Sequence, residues 1–539
     1  MEARLKVAQR GQVVRSRMPG ERGQVNKPDT FGELKRSGYR PRGVKEELRE
    51  NLRRALTRGE NPFEGIHGYE RTVLPALSNA ILSRHDFLLL GLRGQAKTRL
   101  LRLLVNLLDP EIPAIAGSEL NEDPFQPITK FGRRVLAEKG DATPLAWIPR
   151  SERYREKLAT PDVTIADLIG DVDPIKAATE RRSYSDEEVI HFGIVPRTNR
   201  GIFAINELPD LQPRIQVGLL NILEERDLQI RGFPIRIPLD ILLVFSANPE
   251  DYTNRGNIIT PLKDRISSQI LTHYPDDVKT AAKITAQEAW TERDEEPRVE
   301  VPDFFRELVE EIAFVARSSE FVDQSSGVSA RMPISAIEIL VSNLERRGLR
   351  LGETRVAPRL CDLPACLPAI TGKVEMVYEG EQQGAEVVAK RLIGIAVKKL
   401  FDARFPAPDS GRPTQRRHEE RDEIADDSPP VRRARPNPTP EKIHPLYEAI
   451  VEWFAAGNKI TLSDDTPFAE HLAALESVPG LRKAVEEHFA PATPEERAVG
   501  MELVLEGLTQ HLKIAREDLD SKVSYTEMLK FNLVRSRTN

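Results

Sequence analysis

The stretch GLRGQAKT, Gly91 to Thr98, sets a lysine and a hydroxyl residue directly behind a short glycine-containing loop. Its spacing follows G-x-x-x-x-G-K-[ST], with Ala96 in the second glycine position. In such a loop the backbone N–H groups of Gly91, Gly94, Gln95 and Ala96 can turn toward phosphate oxygens. Lys97 would reach the β- and γ-phosphates of a nucleotide, and the Thr98 hydroxyl would face Mg²⁺. A second polar pair closes the apolar run GIFAINE, residues 201 to 207. Glu207 is placed to polarise an attacking water and accept its proton. Asn206 stands where an aspartate would help hold hydrated Mg²⁺; its amide oxygen still accepts a hydrogen bond but carries no negative charge. The run ILLVFSANPED ends in Ser246, Ala247 and Asn248, and an asparagine there can bond the attacking water or the γ-phosphate. Arg265 in ITPLKDRI can relieve transition-state charge on a neighbouring subunit's nucleotide, and Arg331 in GVSARMPISAIEIL opens a helix that could relay nucleotide state.

These residues work together only if strands bring them to one edge of a sheet. DFLLLG, RGIFAIN and LDILLVFSAN are short apolar runs with no room for a helix, as expected of parallel strands buried on both faces. KTRLLRLLVNLL has the period of an amphipathic helix directly after the phosphate loop. Upstream, KEELRENLRRALTRG and YERTVLPALSNAILS read as helices, the second interrupted or bent near Pro75. The expectation is an α/β parallel-sheet core over residues 46–280.

Beyond residue 280 helical patterns dominate. PDFFRELVEEIAFVARSSE, PISAIEILVSNLERRG and GAEVVAKRLIGIAVKKLFDARF suggest a helical lid over 281–404. Residues 405–440 are dense in proline and mixed charge, which predicts a disordered linker. HPLYEAIVEWFAAG, FAEHLAALESV and PEERAVGMELVLEGLTQHLKIAREDL predict a small helical C-terminal domain over 441–539. Residues 1–45 hold twelve Lys or Arg against four Asp or Glu, a basic flexible arm best read as a solvated tail.

At 539 residues the chain needs more than one core. The net charge of −6 argues against a general nucleic-acid binder. No stretch approaches the roughly 20 apolar residues that span a bilayer, and the N-terminus has no apolar leader, so a cytoplasmic protein without membrane contact is expected. The two cysteines, Cys361 and Cys366, are read as reduced thiols.

Taken in order, the motifs resemble those of AAA+ ATPases, and within them the MoxR and magnesium chelatase ATPase-subunit group. In that group Ala before the lysine is familiar. LIGDVDP (168–174), FGIVPRTNRGIFAINELPDL (192–211) and LLNILEERDLQIRGFPIRIPLDILLVFSANPED (219–251) resemble its insertion, its Walker B strand, and its helix, β-hairpin and sensor 1 strand. The resemblance covers roughly residues 60 to 345. It implies a P-loop AAA+ core with a helical lid, binding ATP with Mg²⁺. By that similarity Lys97 and Thr98 fall on Walker A, Asn206 and Glu207 on Walker B, Asn248 on sensor 1, Arg265 on the arginine finger and Arg331 on sensor 2. Asn206 departs from the group's pattern and puts the hydrolysis rate in question. The resemblance further implies a homo-oligomeric ring, a hexamer, that hydrolyses ATP to remodel a partner protein carrying a von Willebrand factor A domain. Two alternatives stay open: an ATP-binding scaffold with little turnover, and a true magnesium chelatase ATPase subunit.

Overall fold

A computed structural model describes residues 27–182, 186–229, 236–249, 256–293, 295–409, 443–519 and 522–528. Among these, five strands form one parallel sheet: β1 (Phe87–Leu90), β2 (Tyr154–Leu158), β3 (Gly201–Asn206), β4 (Ile241–Ala247) and β5 (Ser268–Leu271). Their order across the sheet is β5-β1-β4-β3-β2. The strand after the phosphate-loop strand in space is thus β4, and β3 lies one place further out.

The α/β core expected from the sequence is present, and the apolar runs explain it. Every residue of β3 and β4 is buried. Successive side chains alternate between two cores, as a pleated strand requires. Phe203, Ile205, Leu243 and Phe245 enter one core with Ile215, Leu219 and Leu262. Ile202, Ala204, Leu242 and Val244 enter the other, which also takes residues from the helices α2 (Val44–Arg58), α3 (Val73–Leu82) and α4 (Lys97–Leu103). A short preceding helix, α1 (Phe31–Arg36), is seated through buried Phe31 and Leu34.

Several local expectations need correction. Pro75 does not bend its helix, because α3 begins at Val73 and the proline falls in its first turn, where no intrahelical N–H bond is lost. The helix after the phosphate loop is α-helical only to Leu103 and tightens into a 3₁₀ turn over Leu104–Leu107. Residues 27–45 of the expected arm are packed rather than solvated: Phe31 N–H donates to Thr143 O at 2.9 Å and Trp147 Nε1 to Pro28 O at 3.0 Å. Residues 1–26 of that arm lie outside the described residues.

Between β4 and β5 runs α5 (Thr260–Arg265); past the sheet, a helix Val278–Glu288 (α6) packs on Asp303–Arg317 (α7), followed by Arg331–Leu351 (α8) and Ala385–Arg404 (α9). The C-terminal region is helical, with α10 (Pro445–Ala455), α11 (Phe468–Glu476), α12 (Leu481–His488) and α13 (Pro494–Gln510). It also holds a three-stranded antiparallel sheet that the sequence reading did not anticipate, β6 (Ile460–Ser463), β7 (Ala515–Leu519) and β8 (Lys522–Thr526), with β8 central. One apolar core runs without interruption from α7, α8 and α9 into α10–α13 and β6. Phe405, the first residue of the expected linker, is buried in it and stacks on Phe401 at 5.3 Å and Phe489 at 6.2 Å. Residues 410–442, the bulk of that linker, lie outside the described residues. No helix among the described residues is long and apolar enough to cross a membrane.

Candidate nucleotide site

β1, β4 and β3 end side by side, with Leu90 opposite Ala247 and Phe245 opposite Ile205. Their C-terminal ends therefore deliver Gly91, Asn248 and Asn206 to one rim of the sheet, the place where open parallel α/β sheets bind ligands. The loop Gly91–Ala96 turns there into α4. Gly94 has φ +76°, and a Cβ on it would come within 2.2 Å of Ser329 Oγ, so glycine is required by both torsion and space.

Lys97 is 7 % exposed. Its Nζ donates to the carbonyls of Gly91 and Leu92, the latter at 2.9 Å, and to Asn248 Oδ1 at 2.6 Å. Asn248 Nδ2 in turn donates to Glu207 Oε2 at 2.7 Å. The amide thus spans from the loop lysine to the carboxylate. Glu207 itself sits in the left-handed region, at φ 56° and ψ 49°, a conformation uncommon for non-glycine residues. Thr98 Oγ1 donates to Asn206 Oδ1 at 3.4 Å, and Ser246 Oγ donates to the same oxygen at 3.0 Å.

Of the residues singled out from the sequence, Gly91, Gly94, Ala96, Lys97, Thr98, Asn206, Glu207 and Asn248 come together at this rim. The side chain and carbonyl of Gln95 are turned elsewhere: its Oε1 accepts from Thr272 Oγ1 at 2.7 Å and its backbone O from Tyr69 OH at 2.9 Å, tying the loop to the residue that follows β5 and to the segment that precedes α3. Burial pushes the Tyr69 phenol above its ordinary pKa, which keeps it a neutral donor. Arg265, the last residue of the helix Thr260–Arg265, bonds Glu224 at 2.6 Å and Pro261 O at 3.0 Å, both outside the loop. Arg331 is exposed at the start of α8, whose preceding residues Ser329 and Ala330 abut Gly94.

Sequence reasoning missed the ties between loop and lid. Arg93 Nε donates to Ser326 O at 3.1 Å, and its guanidinium pairs with Glu375 at 2.5 Å. Tyr274 OH donates to Arg93 O at 2.8 Å, and Arg317 of α7 lies 4.2 Å over the Tyr274 ring. Ser246 was also given no role; the available signal was a lone hydroxyl inside an otherwise apolar strand.

The donor set fits a Mg²⁺-bound nucleoside triphosphate. A buried ammonium within a glycine-containing loop suits phosphate oxygens, and the Thr98 hydroxyl beside an amide oxygen suits a metal that keeps several waters. No group of three or more His, Cys, Asp or Glu among the described residues could hold a metal by itself. The cysteines take no part: both are free thiols, and burial pushes Cys366 up to about 12.

Among solved structures, NtrX from Brucella abortus is similar at 12% identity, over 54% of this chain and 55% of that one, with a TM-score of 0.30. This chain therefore spans about half the length of NtrX. A model of the complex between subunits BchI and BchD of magnesium chelatase matches at 21% identity over 60% of this chain and 98% of that one, TM-score 0.31. RuvB from Thermotoga maritima matches at 14% identity, over 61% and 67%, TM-score 0.29. Residues 145–266 match the family model described as the AAA domain of the dynein-related subfamily, a stretch that holds Asn206, Glu207, Asn248 and Arg265 and begins after the phosphate loop.

Proposed function

We infer that this chain is an ATP-hydrolysing motor of the AAA+ type that works as a ring and remodels a partner protein. The observation that carries the reading is the contact chain Lys97–Asn248–Glu207, 2.6 Å and 2.7 Å long, joining a phosphate-loop lysine to a candidate base across two strand ends. Lys97 and the loop amides would hold the phosphates, and Thr98 with Asn206 would hold hydrated Mg²⁺. When bound, the metal supplies positive charge to the phosphate oxygens. Glu207 accepts the proton of the attacking water, and Asn248 fixes the carboxylate that does so. Arg265 serves a neighbouring subunit's site in a hexamer, in keeping with its bonds to Glu224 and Pro261 rather than to its own loop. Arg331, at the start of the lid helix whose preceding turn touches Gly94, links the lid to the phosphates. A protein with a von Willebrand factor A domain is the proposed partner, and the cytoplasm the proposed location of this chain.

Asn206 favours one other reading, a scaffold that binds ATP and assembles but scarcely turns it over. Steady-state ATP hydrolysis with Mg²⁺, with assembly followed by sedimentation, separates the two. For a motor, Glu207→Gln lowers turnover by at least about 100-fold, the usual worth of a positioned base, while nucleotide binding persists. Binding and assembly without turnover in the parent, restored by Asn206→Asp, would establish the scaffold.

A further inference from the structure

An amide at position 206 can imitate a carboxylate only if its oxygen, and not its NH₂, faces the threonine that would meet the metal. Oxygen and nitrogen of an amide have nearly the same shape, so neighbouring hydrogen bonds decide the orientation. Ser246 lies on β4 at 1 % exposure, beside the end of β3. Its hydroxyl accepts the backbone N–H of Glu207 at 3.3 Å and reaches Asn206 Oδ1 at 3.0 Å. With the Glu207 N–H occupying one side of the hydroxyl oxygen, the hydroxyl proton has Asn206 Oδ1 as its acceptor. A flipped amide would present an N–H to Ser246 and leave that proton buried without a partner, which folded proteins avoid. The same Oδ1 then faces Thr98 Oγ1 at 3.4 Å. Thr98 spends its own proton on that oxygen, and its lone pairs are left for a cation.

We propose that Ser246 is a positioning residue that locks the Asn206 amide with its oxygen toward Thr98, and that this lock lets asparagine serve at the Mg²⁺ side of the site. The proposal rests on the nucleotide reading above and deepens it. An aspartate at 206 would need no lock, since both of its oxygens accept.

The test is a double-mutant cycle on the full-length protein, read by binding of a fluorescent ATP analogue with Mg²⁺ and with EDTA. The measured quantity is the factor by which Mg²⁺ tightens binding. In the parent background Ser246→Ala should shrink that factor by about three- to tenfold, the range of one net hydrogen bond. Ser246→Thr, which keeps the hydroxyl, should preserve it. In the Asn206→Asp background Ser246→Ala should change it less than about twofold. Any folding defect from the alanine, including loss of the Glu207 N–H partner, would appear in both backgrounds and cancel in the comparison. An equal loss in both backgrounds, or no loss in either, overturns the lock while leaving the nucleotide reading intact. Failure of the parent to bind nucleotide with or without Mg²⁺ overturns both.

Discussion

Ala96 occupies torsions that glycine prefers, φ 55° and ψ 17°, at the last position before α4. A Cβ in the left-handed region costs roughly 1–2 kcal/mol, and the loop holds it because Gln95 on one side and Lys97 on the other are fixed by bonds to Thr272, Leu92 and Asn248. Ala96→Gly should therefore raise stability by up to about 1 kcal/mol, the strain relief exceeding the added chain entropy; urea denaturation midpoints would check this, and a lower midpoint for glycine would contradict it. At this scale the sequence was informative where a motif is local. Lys97, Thr98, Asn206, Glu207 and Asn248 announce themselves by type and by neighbours in the chain. Ser329 and Thr272 do not, because each meets the site from a segment distant in sequence, and Ser246, two residues before Asn248, is a single hydroxyl in a strand, which carries no periodic signal.

Between elements, one buried contact makes a sharp pH statement. Glu310 on α7 is buried against α6, where Thr285 donates to its carboxyl, and burial pushes its pKa up from 4.5 to about 7. The half-buried Arg317 guanidinium acts the other way on it, without cancelling the desolvation. With the folded pKa above the unfolded one, the folded state binds the extra proton between about pH 4.5 and 7, so this group's contribution is full below that window and is lost as pH rises through it. The loss amounts to roughly 3 kcal/mol at most. Glu310→Gln keeps an acceptor for Thr285 and removes the dependence, so the stability difference between variant and parent should grow in the variant's favour from pH 5 to pH 8; a constant difference in denaturation experiments would rule the contact out as its source. Edge strands mark where sequence reading ran out among elements. The central strands β1, β3 and β4 are apolar but for Asn206 and Ser246 and were legible. β2, with the sequence YREKL, and β5, with SQIL, lie at the sheet's two edges with one side open to solvent, so they need no continuous apolar run. β7 and β8 were hidden by the charged and hydroxyl residues in AREDL and KVSYT, although β8 is the central strand of its sheet.

Across the whole molecule, the lid and the C-terminal region are welded rather than hinged. Gly507 of α13 lies so close to Phe401 of α9 that a Cβ on it would come within 2.2 Å of the ring. Polar groups reinforce the join: buried Arg359 donates to Thr466 O at 2.9 Å, buried Glu502 accepts the Leu360 N–H, and half-buried Glu353 accepts the Phe468 N–H at 2.7 Å. Helical periodicity in 441–539 was readable from the sequence, but its shared core with the lid was not, since both contributions are apolar stripes and a stripe does not name its partner. The chain leaves this core after Phe405 and re-enters it at Tyr447. Covalent continuity across residues 410–442 is then unnecessary for the two halves to remain together. A protease site inserted in that interval should, once cut, yield a two-piece protein that elutes from a sizing column as a single species and parts only in denaturant, whereas separate elution of the pieces in native buffer would mean the weld is too weak to hold without its tether. Behaving as a split protein, the molecule could be built from two separately made polypeptides, with the C-terminal piece serving as the missing wall of the lid.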